Sequence, residues 1–166
     1  GAIKVSSGEN TGSTFTVLFP KEGVEVDMSN GERKGGKKQE MLGTETVLIV
    51  DDEPSILTTC RRMLERFGYT VLTAADGEAG VALFRAHLDR IDAVVLDLAM
   101  PKLHGEDAMR QIRALHASVP IILSSGYADP VRTAPLREEA GTEFIQKPYP
   151  PTRLMQVLRE VFSREQ

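Results

Sequence analysis

The chain has 166 residues, 41% of them apolar and 27% charged, and a net charge of −4. That length suits one domain with an appendage, and it can bury a core without covalent staples. A single cysteine, Cys60, excludes an internal disulfide and a multi-cysteine metal site, and fits a reducing, cytoplasmic setting.

No apolar run approaches the ~20 residues that span a bilayer, and the first residues carry no signal-peptide pattern, so no membrane contact is expected. Residues 1–43 hold six basic and six acidic side chains, so the fourteen basic and eighteen acidic residues of 44–166 carry the whole net charge. Nucleic acid needs a basic face, and none is expected as a partner.

Residues 1–20 alternate apolar and polar residues around a turn rich in Gly, Asn and Thr, with Ile3 and Val5 before it and Phe15, Val17 and Phe19 after it. This is a hairpin pattern. Residues 21–43 are charged, glycine-rich and almost free of apolar periodicity, and read as a linker. From Thr44 onward short apolar runs alternate with helical segments.

The strand candidates are Val47–Val50, Thr70–Thr73, Ala93–Leu96, Ile121–Ser124 and Glu143–Gln146, each mostly apolar on both faces, as buried parallel strands are. Helical stripes follow them. Ile56, Leu57, Cys60, Leu64 and Phe67 form the first, closed by Gly68. Ala79, Ala82, Leu83 and Ala86 are expected to form the second, and Ala108, Ile112 and Leu115 the third. Pro130 and Pro135 confine a fourth helix to a short piece near Pro135–Ala140, and Leu154, Val157, Leu158 and Val161 form the last. Five such units with short connections predict an α/β fold: a flavodoxin-like (βα)5 three-layer sandwich on a five-stranded parallel sheet of order 2-1-3-4-5.

In an open parallel sheet, ligands bind outside the carboxyl ends of the strands. The first strand ends there in Asp51-Asp52-Glu53, the third in Asp97, the fourth in Ser124-Ser125-Gly126 and the fifth in Lys147-Pro148. Strands one and three would be neighbours about 4.8 Å apart. Their crowded carboxylates would raise the pKa of at least one unless a cation offsets the repulsion. Mg²⁺, or Mn²⁺ in its place, suits a site of few carboxylates. The set also matches the needs of a phosphoryl acceptor: Asp97 as nucleophile, Lys147 to offset charge on the phosphoryl oxygens, and the Ser125 hydroxyl to hydrogen-bond one of them.

Five stretches, VLIVDDEP (47–54), AADG (74–77), VVLDLAMPKLHG (94–105), PIILSSGY (120–127) and FIQKPY (144–149), resemble the successive motifs of response-regulator receiver domains, in order and at the right intervals. The resemblance covers about three quarters of the chain. It implies that Asp97 is the phosphoacceptor, that Asp51, Asp52 and Asp97 hold the metal with the backbone carbonyl of Ala99, and that Lys147 and Ser125 complete the catalytic set. It further implies a cis bond before Pro148, a switch built from Ser125 and Phe144, and a binding surface on the fourth helix and fifth strand that changes on phosphorylation. Ala99 and Tyr127 would tune phosphate lifetime. The donor would be a histidine kinase or a histidine phosphotransfer domain, and the receiver would assist its own phosphorylation and dephosphorylation; a dimer is possible in principle. Family members more often carry Thr at 125, and Tyr at 144 is also common.

Residues 2–20 resemble the final hairpin of the ATP-binding domain of histidine kinases, where Thr11-Gly12-Ser13-Thr14-Phe15 takes the place of a Gly-x-Gly segment but lacks its first glycine. The histidine-bearing helices and main nucleotide boxes are absent. The organisation expected is therefore a kinase-domain remnant (1–20), a linker (21–43) and a receiver (44–166), from the C-terminal end of a hybrid sensor kinase and without kinase activity of its own.

Plainer readings stand beside these. Asp51 and Asp52 could cap the helix beginning near Pro54, which leaves Asp97 and Lys147 unexplained. Cys60 packs as a small hydrophobe, and His87, His104 and His116 lack metal-ligand spacing. The rival functions are a pseudo-receiver that never takes phosphate, and an aspartyl-phosphate hydrolase of the haloacid dehalogenase type. The latter expects a second Asp two residues after the nucleophile, where this chain has Ala99.

Overall fold

The computed structural model describes residues 2–8, 12–18, 42–126, 136 and 139–164. The described residues fall into two compact units. The first is an antiparallel hairpin of β1 (Ala2–Gly8) and β2 (Gly12–Leu18), with Ile3 opposite Val17 and Val5 opposite Phe15. Phe19 and residues 21–41 of the expected linker lie outside the described residues.

The second unit runs β3 (Thr46–Val50), α1 (Pro54–Arg66), β4 (Thr70–Ala74), α2 (Gly77–Ala86), β5 (Ala93–Asp97), α3 (Gly105–Leu115), β6 (Ile121–Ser125), β7 (Thr142–Gln146) and α4 (Pro151–Ser163). Its five strands pair in parallel in the order β4-β3-β5-β6-β7, which is 2-1-3-4-5 counted within the unit. Strand centres agree with the sequence expectation, and the ends differ by one residue. Of the expected fourth helical segment, Pro135–Ala140, only Leu136 and residues 139–140 are described, and Leu136 is buried.

Two apolar layers sandwich the sheet. On one face Val47, Ile49, Val95 and Ile122 pack under Cys60 and Leu64 of α1 and Leu154 and Leu158 of α4. On the other, Leu48, Val50, Leu96 and Leu123 pack under Phe84 of α2 and Ile112 of α3. Each such fully buried side chain contributes about 1.5–3 kcal/mol. All five residues of β5 are buried, so the central strand is covered on both faces and its polar end, Asp97, is carried into a dry environment.

The helix termini follow local chemistry. Pro54 opens α1, and Gly68 follows its end in the left-handed region at φ +94°, where a side chain would be strained. Asp76 caps α2 by accepting the Ala79 amide at 2.8 Å.

The expected face of α2 is wrong. Ala79, Ala82 and Ala86 are exposed and Leu83 half-buried, whereas Gly77, Gly80, Val81 and Phe84 are buried. The reason is close packing: a Cβ on Gly80 would lie 2.8 Å from the Val50 methyl groups. The glycines let the helix approach β3, and Phe84 fills the space beside them.

The amino-terminal entry to this unit is tied down. The Gly43 amide donates to the Phe67 carbonyl at 3.0 Å, and Arg159 of α4 donates to the Leu42 carbonyl at 2.8 Å. Among the described residues no helix is long and apolar enough to cross a membrane.

Candidate metal centre at the carboxyl edge of the sheet

The strand ladders continue one step past the strand ends, and this step places the polar residues. The Asp51 amide donates to the Ala74 carbonyl at 3.1 Å, Leu98 to Ser124 at 2.9 Å and Lys147 to Ser125 at 2.8 Å. The ends of β3, β5 and β7 thereby deliver Asp51, Asp97 and Lys147 to one rim, with β6 between the last two.

Their side chains meet. The Lys147 ammonium donates to Asp51 Oδ2 at 2.7 Å and to Asp97 Oδ2 at 2.9 Å. The remaining carboxylate oxygens take backbone donors: Asp51 Oδ1 accepts from the Glu53 amide at 2.9 Å, and Asp97 Oδ1 from the Ala99 amide at 3.2 Å. Asp52 completes the group, and one carboxylate oxygen from each of Asp51, Asp52 and Asp97 lies within 4.8 Å of the others. Asp51 and Asp97 are buried, 2% and 4% exposed, while Asp52 faces solvent.

The charge balance defines what the site wants. With all four groups ionised, three carboxylates face one ammonium and leave −2. Burial raises the Asp51 pKa above its ordinary value, opposed by the Lys147 hydrogen bond and the Glu53 amide; the charge of Asp97 raises it further but contributes least. Crowding was the expected cause, yet desolvation leads. Burial pulls the Lys147 ammonium down, but its bonds to Asp51 and Asp97 outweigh this and hold it above the usual lysine value. An all-oxygen cluster with this deficit fits a hard divalent cation at its solvent-facing side, where Asp52 stands.

The plain capping reading fails. The N-cap of α1 is Glu53, which makes no side-chain cap bond, and the Asp51 carboxylate is engaged by Lys147. Of the hydroxyl pair, Ser124 pairs with Asp97 in register and shares the face of Ile122, while Ser125 lies one residue further on the face of Leu123. Phe144 pairs with Leu123 and packs against the same layer, so Ser125 and Phe144 share a face. The Lys147–Pro148 bond is cis. Tyr127 lies outside the described residues.

The sequence reading missed three features. Gly105, the first residue of α3, touches the acceptor strand, since a Cβ there would lie 2.3 Å from the Asp97 carbonyl oxygen and 2.7 Å from Leu98 Cα. Lys102 adopts φ +67° and pairs with Asp76 at 2.7 Å. A cleft of about 530 Å³ opens beside the cluster, lined by Glu53, Ile56, Cys60, Gly126, Lys147 and Tyr149 among others. Burial raises the Cys60 thiol and pushes the Tyr149 hydroxyl up to about 12, so neither ionises at neutral pH. Gly105 could have been suspected from its place at a helix start; the other two depend on tertiary approach.

Comparison with known proteins bears on the same residues. Residues 47–159 match the family model of the response regulator receiver domain. The sensor kinase CckA of Brucella abortus is 29% identical over 99% of this chain, which spans 18% of that protein's length. The chain spans about half the length of further curated relatives. Among solved structures, the chemotaxis protein CheY4 of Vibrio cholerae is similar at TM-score 0.66 and 28% identity, over 72% of this chain and 99% of that one. CheY of Borrelia burgdorferi, in a complex with CheX, beryllium fluoride and magnesium, is similar at TM-score 0.65 and 28% identity, over 75% of this chain and 98% of that one.

Proposed function

Given that this chain belongs to the response-regulator receiver family of two-component signalling, we propose that it accepts a phosphoryl group on the Asp97 carboxylate, beside a Mg²⁺ held by Asp51, Asp52, Asp97 and the backbone carbonyl of Ala99. The observation that carries this is the Lys147 ammonium bridging Asp51 and Asp97 at 2.7 and 2.9 Å within an acid-rich cluster. The cation, once bound, offsets negative charge on the transferring phosphoryl oxygens. In the transfer, an Asp97 oxygen forms the new P–O bond as the P–N bond of a donor phosphohistidine breaks, and the electron pair returns to the donor imidazole. Lys147 then shifts its hydrogen bond to a phosphoryl oxygen, and the Ser125 hydroxyl donates to another.

The shared face of Ser125 and Phe144 supports a switch in which movement of the hydroxyl toward phosphate lets the ring repack beside Leu123. The surface so changed is that of β7 and the segment before it. The donor is a histidine kinase or a histidine phosphotransfer domain. The similarity to CckA runs across the hairpin as well, whereas CheY4 covers 72% of the chain. This supports reading β1 and β2 as the end of a kinase ATP-binding domain, residues 21–43 as linker, and the chain as part of a hybrid sensor kinase.

The test is incubation with a small phosphodonor such as acetyl phosphate and Mg²⁺, followed by intact mass measurement. One added phosphoryl group is expected, absent in Asp97→Asn and without Mg²⁺. Equal labelling of the Asp97→Asn protein would refute the assignment.

A further inference from the structure

The loop 98–104 begins at Asp97 and decides how that carboxylate is held, because the Ala99 amide donates to Asp97 Oδ1 at 3.2 Å. Its two ends are fixed. Leu98 donates to the Ser124 carbonyl at 2.9 Å, and Gly105 sits against the Asp97 carbonyl so closely that no Cβ fits. Met100, 1% exposed, anchors the first half in the core. The second half is held against α2. Leu103 presses on Gly77, where a Cβ would lie 2.7 Å from the Leu103 carbonyl, and the Lys102 ammonium donates to Asp76 Oδ2 at 2.7 Å.

Two features mark this pair as more than a solvated contact. Lys102 takes φ +67°, a conformation disfavoured for any residue with a Cβ, at a place where glycine would be relaxed. Asp76 divides its oxygens, with Oδ1 capping α2 through the Ala79 amide and Oδ2 on Lys102, so the latch is rooted in a helix end rather than a free side chain. The Lys102 bond holds Asp76 below the usual carboxylate range, and Asp76 holds Lys102 above the lysine one.

We infer that Lys102 and Asp76 are positioning residues for Asp97: their ion pair latches loop 98–104 to the first turn of α2 and so holds the Ala99 amide and carbonyl in place at the acceptor carboxylate. The functional consequence rests on the reading of Asp97 and Ala99 as metal ligands. An exposed ion pair shifts an equilibrium by about two- to fivefold. Loss of the latch therefore weakens divalent-cation binding by that factor and does not abolish it, because Met100 and Gly105 still hold the loop.

The experiment titrates the protein with Mn²⁺ and follows free Mn²⁺ by paramagnetic resonance, alongside thermal melting and amide exchange of the metal-free protein. Lys102→Gly removes the latch and relieves the left-handed backbone. It is expected to bind Mn²⁺ about two- to fivefold more weakly while melting no lower than the parent. Asp76→Asn keeps the capping oxygen and loses the charge; it is expected to weaken Mn²⁺ binding by the same factor and, with no backbone strain to relieve, to melt slightly lower. The double variant is expected to be no worse than either single one, and Lys102→Arg to restore binding. Parent-like Mn²⁺ affinity in both single variants, or losses that add in the double one, would overturn the inference. Should the parent itself bind no Mn²⁺, the proposed cation site fails, and exchange at the Ala99 amide still decides the latch: faster in both single variants if it exists, unchanged if it does not.

Discussion

At the amino-terminal rim of the five-stranded sheet, acids and bases are matched. Arg113 of α3 donates to the carbonyls of Ala117, Val119, Ala140 and Gly141 and to the Thr142 hydroxyl, closing α3 onto the starts of β6 and β7. Arg159 pairs with Glu45, Arg164 with Glu143, and Asp92 accepts the Thr46 amide at 2.6 Å. At the carboxyl rim, Asp51 and Asp97 are buried and share the Lys147 ammonium, with the exposed carboxylate of Asp52 beside them. The same sheet thus has one end whose polar groups are spent on holding it together and one end left with uncompensated charge. Perturbed, uncompensated charges of this kind cluster at functional sites.

That contrast can be broken by substitution, and the largest effect is expected where the two demands coincide. Gly105→Ala forces a Cβ onto the Asp97 carbonyl, so it should destabilise the protein by about 3 kcal/mol and also reduce phosphoryl labelling of the molecules that remain folded. Denaturant unfolding and intact mass read the two losses separately. Arg113→Ala should cost about 2 kcal/mol, since several carbonyls lose their donor, yet leave labelling of the folded protein unchanged. A labelling defect there would mean that the rims are not separable. Asp51→Asn works in the opposite sense. Removing one buried charge from the deficit should stabilise the metal-free protein by about 1 kcal/mol and abolish its response to Mg²⁺. A lower melting temperature in the absence of metal would show that the cluster is balanced after all.

The smallest effect concerns pH. The Lys102 hydrogen bond and the Ala79 amide hold Asp76 below its ordinary value of 3.8. A depressed acid stabilises the fold above its unfolded pKa, and that contribution disappears as pH falls through the lower, folded one. Asp76→Asn should therefore differ from the parent in unfolding free energy at neutral pH, and the difference should shrink on acidification below about pH 4.

The two rims were not equally legible in the sequence. The carboxyl rim was legible because apolar runs of four or five residues end abruptly in Asp, Ser or Lys, and a parallel sheet aligns those ends whatever the loops do. The short connections implied helices on both faces of a parallel sheet, and the size of the unit suited the flavodoxin-like strand order. The amino-terminal rim was not legible: Arg113 lies on a half-buried face of α3 and finds its partners 27 to 29 residues away, at Ala140, Gly141 and Thr142. The face of α2 was misread because alanine periodicity says little about burial, while Gly80 was buried by its closeness to Val50. The rise in the Asp51 pKa was foreseen in direction only, because the depth of burial is a tertiary quantity. The Lys102–Asp76 pair joins two loops that no local pattern relates.

The most direct measurement is the melting temperature of the metal-free protein as Mg²⁺ is added. A ligand that binds only the folded state adds about 1.4 kcal/mol at ten times its Kd. The parent and Arg113→Ala should both rise with Mg²⁺ along the same saturating curve, and Asp51→Asn should stay flat. A flat curve for the parent, or an equal rise in Asp51→Asn, would contradict the claim that the carboxyl rim binds a divalent cation.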